Sequence, residues 1–284
     1  QVMAASATSF GYLLPTRELV MAKTPPDAGK VIELAETAEA LGFGSVWAGD
    51  SILARPRLEA LTTLAAIAAR TRHVRLGTAV LLPALRNPVI LANEVANLDL
   101  LSQGRVVLGV GIGSKSHSVQ REFASCGVSF THRVGIYEEG LTIMRRLWSE
   151  PTVTFSGRHF HLKDVELGLL PVQKPGVPIW MAGTVDAARR RMLRLGDGWF
   201  PNPPTTQAFT EGWERIKELA AETGEDAGKL HRCVYTTLNI NQDTTQAEKE
   251  LRAFVEGYYG APFETASRTQ SVCAGTAEKC VAWV

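Results

Sequence analysis

Residues 97–113 read NLDLLSQGRVVLGVGIG, and the reading of this stretch decides the fold. Asp99 and Ser102 are polar residues of a helix end, Gln103-Gly104 supplies a left-handed stop, and Arg105 starts a strand. Val106, Val107, Leu108 and Val110 make that strand apolar on both faces, the pattern of a parallel strand covered on both sides. Gly109, Gly111 and Gly113 then strip side chains from its carboxyl end, where an α/β protein lets something flat or anionic approach the backbone. The spacing is G-x-G-x-G, followed by Ser114-Lys115-Ser116-His117, with no strand-terminal acid about twenty residues on. The dinucleotide fingerprint G-x-G-x-x-G is therefore not met. Close helix-strand packing explains the glycines as well as a ligand does, so the rest of the chain must decide.

On either side, strand and helix alternate. Strands are expected over 10–14, 45–50, 74–82, 177–183, 199–200 and 233–241, with helices over 27–41, 58–71, 88–101, 187–195, 207–223 and 246–258. Asp27 caps the first helix, and Asn87-Pro88 supplies an N-cap with proline at the first helical position of the third. This alternation, without a second fold signature, points to an α/β protein with a closed (β/α)8 TIM-type barrel as one domain over 1–284; a doubly wound sheet is the runner-up. More than sixty residues separate the fourth and fifth strands. That span is too long for a simple connection and is expected to be an insertion over about 114–176, with a helix over 133–148 and a hairpin turning at Ser156-Gly157, above the barrel mouth. Seven strands are counted where a barrel needs eight, and 276–284 reads as a helix before a last strand, so that strand is expected to lie beyond the chain.

Bulk properties exclude several classes of function. The 284 residues carry a net charge of +1, with 45% hydrophobic and 21% charged residues. Dispersed lysines and arginines give no basic field for nucleic acid, and no apolar run reaches membrane-spanning length. Cys126, Cys233, Cys273 and Cys280 are scattered without a C-x-x-C pair, which suggests neither a disulfide framework nor a zinc site. His159 and His161, two apart, lack a third ligand, so no metal is expected. Nothing in the opening residues resembles a signal peptide, and a cytoplasmic location is expected.

Four segments are more specific: GFGSVWAGDS (42–51), ARTRHVRLGTAVLL (69–82), NPVILANEVANLDLLSQGRVVLGVGIG (87–113) and GDGWFPN (196–202). In order and spacing, from Phe10 to the GTAEK at 275–279, the chain resembles the bacterial luciferase-like superfamily of flavin- and deazaflavin-dependent oxidoreductases. The resemblance implies a TIM-type barrel, FMN or the deazaflavin F420 at the carboxyl ends of the strands, and hydride or oxygen chemistry on a small organic substrate.

The same resemblance assigns residues. Gly77-Thr78-Ala79 take the place of the family's third-strand bulge against the flavin ring; without the family, a Gly-Thr pair filling a narrow barrel explains them better. Asp50 closes the second strand where the family has an acid near the ring. Many relatives follow it with a histidine, whereas this chain has Ser51, which does not titrate near neutral pH. The usual base is absent, and His117 is the candidate replacement. Ala182-Gly183-Thr184 leave the fifth strand where the family binds a phosphate. Thr184 serves equally as a plain N-cap, and Asp186 would repel a phosphate. Luciferases proper hold the FMN phosphate with an arginine near the end of the fourth strand, and the matching residue here is Ile112. F420 is preferred over FMN on that ground, its longer tail spreading over the loop Gly113 to His117, with Ser114 and Lys115; Gly111 just before it is also expected to bind the cofactor. Arg133, Tyr137 and Glu139 read as a solvent-facing and packing set. A homodimer through helices 58–71 and 88–101 is expected, with substrate specificity in 16–26 and in the insertion. The alternative is a flavin-binding protein of the same fold without turnover.

Overall fold

A computed structural model of the protein describes residues 9–22 and 24–284. Residues 1–8, which bear on the targeting argument, and Lys23, in the loop expected to add specificity, lie outside the described residues. The chain divides into two compact units, Gln1–Trp180 and Met181–Val284.

In the first unit, β1 (Gly11–Leu13), β2 (Ser45–Ala48), β3 (Arg75–Thr78) and β4 (Val106–Val110) pair in parallel in sequence order. Sequential order winds one way, as in a barrel, where a doubly wound sheet would reverse. Helices α1 (Glu18–Met21), α2 (Ala28–Ala40), α3 (Ala60–Arg70) and α4 (Pro88–Leu101) fill the connections. Asn87 caps α4 by accepting the N–H groups of Val89 and Ile90, and the helix stops where Gln103 (φ 57°) and Gly104 (φ 82°) turn left-handed, as expected. Arg105 then ties α3 to β4. Its guanidinium donates to the carbonyls of Ala68, Thr71, Val74 and Ser102 and to the Thr71 hydroxyl. All of β4 is buried, and each of its Val and Leu side chains contributes roughly 1.5–3 kcal/mol by leaving water.

Two strands are shorter than their apolar runs. β2 ends at Ala48, which leaves Asp50 on a loop. β3 ends at Thr78 rather than running to Leu82, and the ladder resumes when Leu81 bridges Val110, after the cis peptide Ala79–Val80.

The segment expected as a single insertion is several elements. α5 (His117–Ser125) was not anticipated because its opening SKSHS is polar; Ser116 caps it by accepting the Val119 N–H. α6 (Arg133–Ser149) matches the expected helix, but it packs along α4, with the Trp148 indole donating to the Ala92 carbonyl at 3.0 Å. It is therefore part of the helical cover beside α4. β5 (Val153–Ser156) and β6 (His161–Val165) form the expected hairpin. Arg133 and Tyr137 are buried rather than solvent-facing, and Glu139 accepts the N–H groups of Arg158, His159 and Phe160 at the hairpin turn.

β7 (Ile179–Met181) carries the chain into the second unit. There follow α7 (Asp186–Leu195), β8 (Gly198–Trp199), α8 (Thr206–Thr223), β9 (His231–Arg232), β10 (Thr236–Ile240), α9 (Thr244–Tyr259), α10 (Phe263–Ala266), β11 (Ser271–Gly275) and α11 (Ala277–Trp283). β8 pairs with β9 and β10 with β11, all parallel; the strand expected over 233–241 is β10, and β9 precedes it unanticipated. β11, with sequence SVCAG, was missed because it is short and only partly apolar. Its strand character comes from pairing with β10 and from the cover of α9, whose Ala247, Leu251 and Val255 pack with Ala274. The count of seven strands thus omitted two that the described residues contain, β9 and β11. Among the described residues, no helix is long and apolar enough to cross a membrane, and no group of His, Cys, Asp and Glu gathers to hold a metal ion.

Candidate functional site

At the carboxyl ends of the first unit's strands, Asp50 is spoken for. Its side chain is 2% exposed and forms a two-pronged ion pair with Arg86, Oδ2 to Nη1 at 2.7 Å and Oδ1 to Nη2 at 3.0 Å. Oδ2 also accepts the Leu82 N–H at 2.9 Å, and Arg86 reaches Glu59 at 3.2 Å. Burial works against the Arg86 charge, but the bonds and field of Asp50 and Glu59 outweigh it and raise its pKa. Asp50 thus clamps the loop after β2 to the loop after β3.

Gly77 and Thr78 are packed against neighbouring side chain and backbone. A Cβ on Gly77 would run into the Trp47 indole, so the space over this glycine is filled by tryptophan rather than open to a ring. The Thr78 hydroxyl donates to the Gly109 carbonyl at 2.7 Å, and Thr78 is fully buried. The pair lies in the interior beside Trp47. Ala79 and Val80, half-buried where β3 breaks, are the part of this segment that meets solvent. Trp47 itself packs on Trp180 with ring centroids 5.4 Å apart.

Ser51 is tied to a residue that the sequence reading missed. Its hydroxyl donates to Glu122 Oε1 at 3.0 Å and accepts the Arg55 N–H at 2.8 Å. Glu122, on α5 and with no exposed surface, also accepts the N–H groups of Ile52 and Leu53. A lone glutamate in REFAS offers no signal in sequence, because its partners lie some seventy residues away.

After β4, the Gly111 N–H donates to the Leu81 carbonyl, and Gly113 turns left-handed with φ 76°. Ser114, Ser116 and Ser118 link hydroxyl to hydroxyl at 3.1 and 3.2 Å on the surface. Lys115 and His117 are exposed beside them, His117 as the first residue of α5. In the second unit, Ala182 and Gly183 are half-buried, Thr184 is exposed, and the Gly183 carbonyl accepts the Trp199 indole N–H at 2.9 Å. Thr184 is not the N-cap: Val185 occupies that position, and α7 begins without a side-chain cap. Asp186 is matched by two arginines, Arg189 at 2.8 Å and Arg215 at 2.7 Å, whose bonds hold its carboxyl below the usual range. The repulsion expected of this carboxylate toward a phosphate is therefore offset.

His159 and His161 have separate surroundings. His159 lies 5.7 Å, ring to ring, from His132, and His161 Nδ1 is 3.4 Å from the Ser156 hydroxyl. A cavity of about 360 Å³ in the first unit is lined by Arg86, Cys126, Ser129, Ile136 and His159 among others, and none of the residues expected to bind a cofactor lines it.

Comparison with known proteins agrees with this geometry. The family model described as luciferase-like monooxygenase matches residues 8–279. An F420-dependent glucose-6-phosphate dehydrogenase from Kineococcus radiotolerans is 31% identical over 235 residues, spanning 79% of this chain and 68% of that protein. One from Amycolatopsis mediterranei is 30% identical, spanning 78% and 68%. Among solved structures, a monooxygenase from Streptomyces bottropensis superposes with a TM-score of 0.80 at 26% identity, covering 97% of this chain and 87% of that one. An F420-dependent secondary alcohol dehydrogenase shares the fold with a TM-score of 0.79 at 23% identity, covering 98% and 88%. With its parallel strands wound in sequence order and a family match over nearly its whole length, the chain belongs to the luciferase-like monooxygenase family.

Proposed function

We propose that this chain is an F420-dependent oxidoreductase that moves a hydride between the deazaflavin and a hydroxyl-bearing carbon of a small molecule. The observation that carries this reading is the set of F420-dependent relatives matched over about four-fifths of the chain. Its residues suit such a cofactor. In the first unit, Ala79 and Val80 are half-buried where β3 breaks, and Gly111, Gly113, Ser114 and Lys115 lie on the loop after β4. In the second unit, α7 presents N–H groups that no side chain caps, after Ala182, Gly183 and Thr184, which suits a phosphate. Bound F420 supplies the hydride acceptor; the protein's part is orientation and exclusion of water. The reading includes the closed barrel and the homodimer expected from sequence, supported respectively by the one-way strand order and by the exposed Ile90 and Leu101 of α4.

Parallel fluorescence titrations with F420 and FMN test the cofactor, followed by F420 reduction with propan-2-ol and glucose 6-phosphate as probes. F420 is expected to bind at least tenfold more tightly. FMN binding tenfold more tightly would overturn the assignment and favour an FMN-linked monooxygenase, the second reading, which the monooxygenase from Streptomyces bottropensis supports.

A further inference from the structure

We propose that Ser51 and Glu122 form a two-residue proton acceptor for the substrate hydroxyl, in place of the histidine that this chain lacks. The inference rests on the hydride-transfer reading above. A serine hydroxyl has one proton to donate and two lone pairs. Ser51 gives its proton to Glu122 Oε1 at 3.0 Å and spends one lone pair on the Arg55 N–H at 2.8 Å, so a single lone pair is left to accept from a substrate. Ser51 directly follows Asp50, which is anchored at the end of β2 by Arg86, and it keeps 8% of its surface exposed. Glu122 is the buried carboxylate behind it. Its donors among the described residues are the Ser51 hydroxyl and the Ile52 and Leu53 N–H groups, all on Oε1, while buried Oε2 has no hydrogen-bond partner. Two backbone bonds hold the loop, and the third ties the carboxylate to the Ser51 hydroxyl.

In the oxidative direction the substrate C–H bond breaks, its electron pair and hydrogen passing as hydride to oxidised F420. The substrate O–H bond breaks as its proton goes to Ser51 Oγ, Ser51's own proton goes to Glu122, and the carbonyl forms. Glu122 is left protonated and returns the proton through Ser51 once product leaves. Ser51 is the catalytic residue and Glu122 the positioning residue that accepts through it.

The charged and titratable groups around the pair are Asp50, Arg86 and Glu59, which bind one another; Arg55 and Arg57 on the same loop; His117 and Arg121 on α5; and His132 and Arg133 on the turn packed against α5. None of them bonds to Glu122.

The test compares wild type with Ser51→Ala, Ser51→Thr and Glu122→Gln, all with propan-2-ol and glucose 6-phosphate as probes. Glu122→Gln keeps an oxygen for the Ile52 and Leu53 N–H groups but cannot take the proton. F420 affinity, read by fluorescence, is expected to stay within threefold in every variant. Ser51→Ala and Glu122→Gln are each expected to lower kcat about 100-fold with little change in KM, and Ser51→Thr to restore most of the rate. Infrared difference spectra of a single turnover are expected to show a protonated-carboxyl band in wild type that Glu122→Gln lacks. If F420 binds and turns over but Ser51→Ala keeps kcat within threefold, or the band persists without Glu122, the relay is overturned while the hydride-transfer reading stands. If F420 does not bind, or neither probe reduces it, both are overturned.

Discussion

Asp50 and Arg86 lock the loops after β2 and β3 to each other through paired contacts of 2.7 and 3.0 Å, with Asp50 2% and Arg86 15% exposed. Removing one partner of so buried a pair leaves an uncompensated charge, at a cost of about 3–5 kcal/mol. Asp50→Asn is therefore expected to lower unfolding stability by about 3 kcal/mol, and Arg86→Lys by less, because lysine keeps the charge but not the fork. Urea unfolding of both and of Asp50→Asn/Arg86→Lys checks this. Single losses that add within about 0.5 kcal/mol would show that the two residues do not act as a unit.

Gly77 is held to glycine by Trp47. A methyl group on Gly77 would overlap the indole ring, in an interior with Trp47 6% exposed. Gly77→Ala is expected to cost about 1–3 kcal/mol by overpacking, and Trp47→Leu in the same chain to recover part of that loss. If Gly77→Ala is neutral, the glycine faces open space and the flavin-contact role returns.

These two relationships mark what a sequence shows. β4 was legible because an unbroken Val-Val-Leu-Gly-Val run between a left-handed stop and glycines has a local cause, and α4 because Asn87-Pro88 is a local cap. The partner of Gly77 was not, since a glycine carries no sign of whether ligand or tryptophan fills the space above it. Glu122 and Ser51 are 71 positions apart, and their bond exists only once β2 and α5 are brought together. β11 failed for the same reason: its strand character lies in β10 and α9. Asp50 lies on the loop just past β2, and Arg86, which pairs with it, could not be seen in the sequence.

Glu39 on α2 fastens the entry to β3 by accepting the N–H groups of Arg72, His73 and Val74. Burial pushes its pKa up, but those three bonds and the His73 charge outweigh it and hold the carboxyl below its ordinary value near 4.5. A carboxylate depressed in the folded state contributes stability that is fully present above the unfolded value and is lost as pH falls through the folded one. The melting-temperature gap between wild type and Glu39→Gln is thus expected to be constant from pH 7 to about 5 and to shrink below about 4.5. A gap independent of pH down to 3 would mean that the carboxylate charge contributes nothing.

The homodimer proposed above makes a sharper demand now that the two helices can be told apart. α3 buries Leu61, Leu64 and Ile67 in its own protomer and turns Thr62, Ala66, Ala69 and Arg70 outward, none of them a large apolar residue. α4 buries Leu91, Val95 and Leu98 but leaves Ile90 59% and Leu101 67% exposed. Eleven residues apart, these two come within about 20° of the same helical face at 3.6 residues per turn. Asn93 and Asn97 lie between them on that face, the Asn97 amide donating to the Asn93 carbonyl at 2.8 Å. If this stripe is an interface, Ile90→Glu/Leu101→Glu is expected to convert a dimer of about 62 kDa, twice the 30.8 kDa chain, into a monomer at micromolar concentration, with circular dichroism unchanged. Light scattering returning a monomer for the wild type, or a dimer for the double variant, would remove α4 from the contact.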